Sequence, residues 1–272
     1  MEHDSKRKIM SMTPIISCVI PVHNGKRDLR RAVDSVLSQL PDVQLILVDD
    51  FSSDGSTALA VEMADQDPRI VALTLPRNHG QGFARNVGVA AADAEYVTFL
   101  DQDDEHVPGW YAYAVDVLQK NPSVAAVKGD IELVDIPVDV SVVRGDARWR
   151  AMVNSTIWNV IVRKPIYGVL GGCPTSSEYR TREGNEDVAL VSALVQHCQM
   201  LVSSRVAARH YIQPNGATAY FLRRTTVVDG RIQYLEQTDH ERKSALVEGV
   251  SPYQAQTNRN LEAIRKNLAS SK

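Results

Sequence analysis

The stretch Tyr96-Val97-Thr98-Phe99-Leu100-Asp101-Gln102-Asp103-Asp104 decides how this chain is read. Its first half is apolar and β-branched, as in a buried strand, and its second half sets three carboxylates at the strand's C-terminal end. Side chains alternate along extended backbone, so Asp101 and Asp103 project to one side and Asp104 opens the next turn. Carboxylates this close repel unless a cation, a hydrogen-bond network or water relieves them. Two readings follow. One is an oxygen-ligand site for Mg²⁺ or Mn²⁺ that holds a phosphorylated ligand. The other is a solvated acidic turn, which is common after a strand.

Upstream, three further apolar runs each end in polar residues. Ile15 to Ile20 is stopped by Pro21 and followed by His23, Asn24 and Gly25; Val43 to Val48 ends in Asp49-Asp50. Ile70 to Leu75 leads into Pro76-Arg77-Asn78-His79-Gly80-Gln81-Gly82. Leu45-Ile46-Leu47-Val48 does not alternate, which suits a parallel strand covered on both faces. Between the runs lie helical stripes: Leu29, Ala32, Val33, Val36, Leu37 and Leu40; then Leu59 and Met63, behind a cap at Ser53 or Asp54; then Ala84, Val87, Gly88 and Ala91. The small residues of the last stripe let its helix approach the sheet. A helix from about Pro108 to Gln119 follows the acidic strand. The expected fold is α/β, with a mostly parallel central sheet and helices on both faces.

Beyond Asn121-Pro122 the pattern loosens. Val124 to Val127, Ile131 to Val134, Val138 to Val143, Met200 to Ser203 and Val206 to Ile212 read as strands. Glu186-Asp187 opens a helix that carries Val191, Leu194, Val195 and Cys198, and the tail from about Val227 reads as helical, ending in the stripe Leu261, Ile264 and Leu268. The boundaries drawn are a disordered start over 1–13, one catalytic domain over 14–225 divided near residue 105, and a helical extension over 226–272.

With 44% hydrophobic and 23% charged residues and a net charge of -3, the 272-residue chain has ordinary soluble composition, and its weak acidity speaks against a nucleic-acid partner. No stretch approaches the roughly 20 apolar residues of a membrane span. Cys18, Cys173 and Cys198 are odd in number and lack zinc-ligand spacing, which fits a reducing, cytoplasmic setting.

Ligands of an open parallel sheet bind outside the C-terminal ends of its strands. That rule gathers Asn24, Asp49, Asp50, Arg77 to Gly80 and Asp101 to Asp104 on one edge. Asp49 and Asp50 can accept from a base N–H or ribose hydroxyls. Arg77 and Arg85 supply charge for a diphosphate, with surface arginines as the plainer reading, and for Arg85 a lock of its helix against a carboxylate as a further one. Gly80 and Gly82 allow close backbone approach. Asp103, with Asp101 or Asp104, would hold the ion that neutralises the diphosphate. No GxGxxG or GxxxxGK[ST] follows the first strand, which speaks against a dinucleotide enzyme or a P-loop ATPase. Asp187 in a helix first turn is expected to stay ionised, and so ready to take a proton; first turns also favour acids for stability alone.

These residues resemble the inverting GT-A glycosyltransferases of the family 2 type. Ile16 to Asn24 (ISCVIPVHN), with Pro21 and Asn24, is similar to the opening strand and nucleotide-contacting loop. Val48 to Ser56 resembles VDDGSxDGS, with Phe51 in place of glycine. Arg77-Asn78-His79-Gly80 with Ala84-Arg85-Asn86-Val87-Gly88 resembles RNxGxxxARNxG, and Asp101-Gln102-Asp103-Asp104 the DxD motif. Gly171-Gly172 and Glu186-Asp187 look like the acceptor-side loop and the ED motif.

The resemblance covers roughly residues 14 to 220. It implies a nucleotide-diphospho-sugar donor, often a UDP-sugar, bound with Mn²⁺ or Mg²⁺, and a hydroxyl-bearing acceptor. By that likeness Asp50 contacts the uracil with Asp49 nearby, Asp101 reaches the ribose, Asp103 holds the metal and Asp187 is the base. Where many members carry a metal- or diphosphate-binding histidine, this chain has Gln213, with His210 three residues earlier as another candidate. No QxxRW-like segment follows the ED motif, so transfer of a single sugar fits better than processive synthesis. Trp149 and Trp158 are candidates to stack on an acceptor or to fill the core. The loop from Cys173 to Gly184 is a candidate cover for the donor, and the terminal helix a candidate dimer contact. The rivals are a nucleotidyltransferase and a degenerate donor-binding module.

Overall fold

A computed structural model describes residues 13–179, 186–235 and 252–270. Strands β1 (Ile16–Val22), β2 (Val43–Asp49), β3 (Ile70–Thr74) and β4 (Tyr96–Phe99) run parallel, with β1 between β2 and β4 and β3 outside β2. Helices α1 (Leu29–Leu37), α2 (Ser56–Gln66) and α3 (Gln81–Ala90) connect them. The alternation along β1 explains why its sequence has no polar face. Ile16, Cys18, Ile20 and Val22 pack with Leu29, Ala32, Val33 and Val36 of α1, while Val19 packs with Ala84 and Val89 of α3 on the other side. Leu45 and Leu47 divide from Ile46 and Val48 in the same way.

Helix α3 lies closest to the sheet. A Cβ added at Gly88 would stand 2.3 Å from Val19 Cγ1, and Val19 is a stiff β-branched side chain with no free volume around it. Gly88→Ala is expected to cost about 1–3 kcal/mol by overpacking. At this chain length that lowers Tm by roughly 2–4 °C per kcal/mol. An unchanged calorimetric Tm would contradict this packing.

The second half differs in detail from the sequence reading. After a two-residue strand β5 (Glu105–His106), helix α4 (Trp110–Lys120) has Gly109 as its N-cap, one residue past Pro108. The expected pairs of short strands are single long ones, β6 (Ala126–Val134) and β8 (Met200–Tyr211), which pair in parallel with register shifts around Asp130. Residues 138–143 form no strand. Helix α5 (Ala147–Ser155), strand β7 (Val160–Arg163), helix α6 (Lys164–Leu170) and helix α7 (Glu186–His197) complete this half.

Strand β7 runs antiparallel between β4 and β6, giving an eight-stranded sheet in the order β3-β2-β1-β4-β7-β6-β8-β5. Past helix α8 (Ala217–Arg224), the expected helical tail opens instead with a hairpin of β9 (Thr225–Val228) and β10 (Arg231–Tyr234). Its turn is Asp229-Gly230, with φ of 50° and 73°, and Asp-Gly accepts the two positive φ values that a tight hairpin needs. Helix α9 (Pro252–Ser270) follows and docks through a Thr257 Oγ1 donation to the Leu170 carbonyl at 2.9 Å. The expected disordered start, apart from Thr13, lies outside the described residues, as do the side chains of Ile264 and Leu268. No described helix is long and apolar enough to cross a membrane.

Candidate active site

The ends of three strands and the start of one helix meet at one cavity. Pro21, Val22 and His23 close β1, Asp50 follows β2, Gln81 opens α3, and Asp101, Gln102 and Asp103 follow β4; all line it. Two fixtures hold these loops together. The Gln102 side chain accepts from the His23 N–H at 2.9 Å and donates to the His23 carbonyl at 3.0 Å. A Cβ at Gly25 would fall 2.1 Å from Gln102 Oε1, so only glycine leaves room for this clasp. The Asp50 carboxylate accepts from the N–H groups of His79 and Gly80, both at 2.7 Å, with Gly80 at φ 89°. Asp50 therefore fixes the loop after β3 as well as bordering the cavity.

Other residues expected to touch the donor are placed beside the cavity. Asn24 accepts from the Ser53 N–H at 2.8 Å, and buried Asp49 accepts from Thr57 Oγ1 at 2.9 Å and the Ser52 N–H at 3.2 Å. Both tie down the turn before α2. In that turn Phe51 has φ 66°, in the left-handed region that glycine adopts most readily. Arg77 is exposed and its Nε donates to His79 Nε2 at 3.3 Å.

The metal-ligand candidates separate into two groups. Asp104 is fully buried and accepts from His210 Nδ1 at 2.9 Å and from the Tyr211 N–H at 3.0 Å. The other ring nitrogen of His210 pairs with Thr218 Oγ1 at 2.8 Å, and the ring stacks on Trp158. Burial opposes the His210 cation, yet Asp104 more than offsets it and pushes the imidazole up to about 9. Asp104 and His210 thus form a buried ion pair, and Gln213 Oε1 is engaged by Arg27 Nη2 at 3.0 Å.

Asp103 differs, since no other described residue donates to its carboxylate. Burial, then Asp104 and Asp101, push it up to about 7, and the charge of His210 offsets only part of that rise. Among the described residues no group of three or more His, Cys, Asp and Glu forms a metal cage. A single carboxylate that shares an ion with substrate phosphates needs no such cage, and Asp103 fits that mode.

The acceptor-side candidates surround Arg85, which is fully buried on α3. One guanidinium nitrogen donates to Asp187 Oδ1 and to Glu186 Oε1, the other to Asp101 Oδ1 at 2.8 Å. Burial opposes its charge, but Asp187, Asp101 and Glu186 together raise its pKa well above the ordinary value. Of the two roles open to Arg85, a diphosphate contact or a lock of its helix against a carboxylate, its partners match the second: it links Asp101, on the cavity wall, to the two acids of α7. Glu186, expected to face an acceptor, is 2% exposed and also bonded by Gln81.

Asp187 Oδ2 accepts from the Ile157 N–H at 3.5 Å. The expectation that it stays ionised near neutrality is corrected, because burial is the largest push on the group and Arg85 offsets only part of it. With Glu186 and Asp101 adding to the rise, the group lies at about 7. Gly171 and Gly172 have φ of 95° and 71°, and a Cβ on Gly172 would meet Asn86 Oδ1 at 2.5 Å. That loop is pinned to α3, where Asn86 bonds the Cys173 N–H and carbonyl, each at 2.8 Å. Residues 180–185 lie outside the described residues, so the covering loop is described only to Tyr179. Trp149 and Trp158, offered for acceptor stacking, are buried core residues with Ile131, Met152 and Leu222. Gln81 and Lys128, the latter 1% exposed on β6, were not among the expected residues.

Comparison with known proteins bears on the family and the fold. The model of the family described as Glycosyl transferase family 2 matches residues 17–157. An uncharacterized glycosyltransferase of Haemophilus influenzae is 39% identical over 92 residues, which are 34% of this chain and 37% of that protein. The matched part is thus little more than a third of that relative's length. Among solved structures, S. aureus TarS 1–349 in complex with UDP-GlcNAc superposes with a TM-score of 0.60 at 18% identity, over 75% of this chain and 60% of that one. The mannosyltransferase PcManGT from Pyrobaculum calidifontis, in complex with GDP-Man and Mn²⁺, gives 0.57 at 17% identity, over 82% and 67%. At such identities these likenesses speak for the fold, a GT-A sheet. With the family model covering more than half of its length, the chain belongs to glycosyl transferase family 2.

Proposed function

We propose that this chain moves one sugar from a nucleotide-diphospho-sugar, a UDP-sugar by preference, to an acceptor hydroxyl with inversion, and that Asp187 is the general base. One observation carries the proposal: the cavity bordered by Asp50, Asp101 and Asp103 is joined to Asp187 through the single buried guanidinium of Arg85. A donor cleft and a base are thereby held in one rigid arrangement. The complexes of TarS with UDP-GlcNAc and of PcManGT with GDP-Man and Mn²⁺ support a sugar-nucleotide donor and a divalent ion here.

In this reading Asp50 and the Gln102–His23 clasp keep the walls of the nucleotide cleft in place. Asp103 would hold Mn²⁺ or Mg²⁺, with Asp101 beside it. When bound, such an ion supplies positive charge against the diphosphate. The acceptor oxygen attacks the anomeric carbon from the side opposite the diphosphate. Its proton passes to Asp187, and the electron pair of the breaking C–O bond leaves on the diphosphate. Arg85 holds the Asp187 carboxylate in place while it receives the proton.

The pH dependence follows from the position of Asp187 near 7. Its raised pKa means that the proton-accepting form fills as pH rises through that value. The quantity kcat/KM should climb about tenfold per pH unit on the acid side and level off above neutrality. A profile flat from pH 5 to 8 would remove Asp187 from the role. The identity of the donor is tested by thermal shift with UDP, GDP and their sugars, with and without Mn²⁺. A ligand at about a hundred times its Kd adds about 2.7 kcal/mol, a shift of several degrees. No shift with any nucleotide would reject the proposal.

A further inference from the structure

A polar cluster beside Asp187 is left unused by the transfer just described. Lys128 sits in β6 between Val127 and Gly129 and is almost wholly buried. Its ammonium donates to the Thr156 carbonyl at 2.6 Å and to Asn159 Oδ1 at 2.8 Å. Asn159 is held in turn by its donation to the Gly129 carbonyl at 2.8 Å. A lysine in a strand core costs desolvation that an apolar residue would avoid, so its presence calls for a role.

The Thr156 carbonyl and the Ile157 N–H belong to one peptide unit. That N–H is the backbone donor facing Asp187 Oδ2, at 3.5 Å, and Ile157 is fixed in the core with Leu190 and Val191. A cation on the carbonyl polarises the peptide and strengthens the N–H at its other side. We propose that Lys128 is a positioning residue for the candidate base, holding the Thr156–Ile157 peptide by its carbonyl so that its N–H faces the Asp187 carboxylate. The role assigned to Lys128 rests on Asp187 being the base.

The charged and titratable groups around Asp187 are Arg85 from α3, Glu186 from its own helix, Asp101 from the loop after β4 and Cys173. The group facing Lys128 is Asp187, which resists the downward push that burial gives the ammonium, to about 7. Lys128 thus reaches Asp187 through the Thr156–Ile157 peptide, whose N–H faces Oδ2, while Arg85 donates to Oδ1.

The test is a carboxyl ¹³C NMR titration of the full chain, with the Asp187 resonance assigned by its loss in Asp187→Asn. Lys128→Gln keeps a donor, one bond shorter, but drops the charge; Lys128→Met drops both. The Asp187 midpoint is expected to rise by about half a unit or more in Lys128→Gln, and further in Lys128→Met. In turnover, kcat should fall with its acid limb moved upward while KM for the donor stays within about twofold. An Asp187 midpoint unchanged in a natively melting Lys128→Gln would overturn the proposal. Should neither variant fold, the unaltered chain decides: the Ile157 amide resonance must shift along the Asp187 titration, and an unmoved Ile157 amide overturns the proposal. Full transfer by Asp187→Asn would sink the base assignment alone and leave this titration intact, so the two failures are distinguishable.

Discussion

Asp187→Asn is expected to lower transfer by at least about a thousandfold, the range in which a positioned general base acts, while donor affinity changes by no more than a few-fold. The amide matches the carboxylate in shape, so packing against Ile157 and α3 is retained. Arg85 keeps Asp101 and Glu186 as partners after the change, and so remains a compensated buried cation. What disappears is the capacity to receive a proton. Steady-state rates with the selected donor, alongside calorimetric Kd values, check both halves. Wild-type kcat in the purified variant would reject the base assignment, and a lost donor affinity would move Asp187 from proton transfer to donor binding.

Asp103→Ala is expected to abolish the Mn²⁺-dependent part of nucleotide binding, so that titrations with and without the ion give the same Kd. The variant should fold well, and the sign can be worked out. The Asp103 carboxyl lies at about 7, above its ordinary 3.8, because burial and the neighbouring acids disfavour the anion. A raised pKa means stability that is present below the ordinary value and lost as pH rises through about 7. At pH 8 the ion-free wild type therefore carries the cost of a crowded anion that the alanine variant lacks. The variant should melt no lower than wild type at that pH, and the binding defect will not be a folding defect. Retained Mn²⁺ dependence in Asp103→Ala would place the ion elsewhere.

Much of this architecture was legible in the sequence because each clue had a local physical cause. The runs at Ile16 to Ile20 and Leu45 to Val48 lack a polar face because helices cover both sides of the sheet, and Gly88 was readable as a point of close approach. The Asp229-Gly230 turn was missed, although its dipeptide is a hairpin signal; the helical character of the segment beyond it masked the two short strands. Strands β6 and β8 were each split in two because Lys128-Gly129-Asp130 and Ser203-Ser204-Arg205 interrupt their apolar runs, where the pairing is also irregular.

The site was harder to read. Motif order brought Asp50, Asp101 and Asp103 to one cavity, but pairing partners are three-dimensional facts. The sequence does not say that Asp104 lies against His210, 106 positions away, or that Arg85 binds two acids more than a hundred positions later. Lys128 did carry a signal: a lysine inside the apolar run Ala125-Ala126-Val127-Lys128-Gly129 breaks the pattern of a buried strand and asks for buried acceptors.

The central claim is that nucleotide and ion share one cleft, which Arg85 connects to Asp187. Crystals grown with Mn²⁺ and the nucleotide selected by thermal shift, UDP or GDP, test it most directly. The predicted result is the base near Asp50, the ion on Asp103 and the terminal phosphate on the side of the cleft that Arg85 connects to Asp187. A nucleotide bound elsewhere, or an ion away from Asp103, would contradict it.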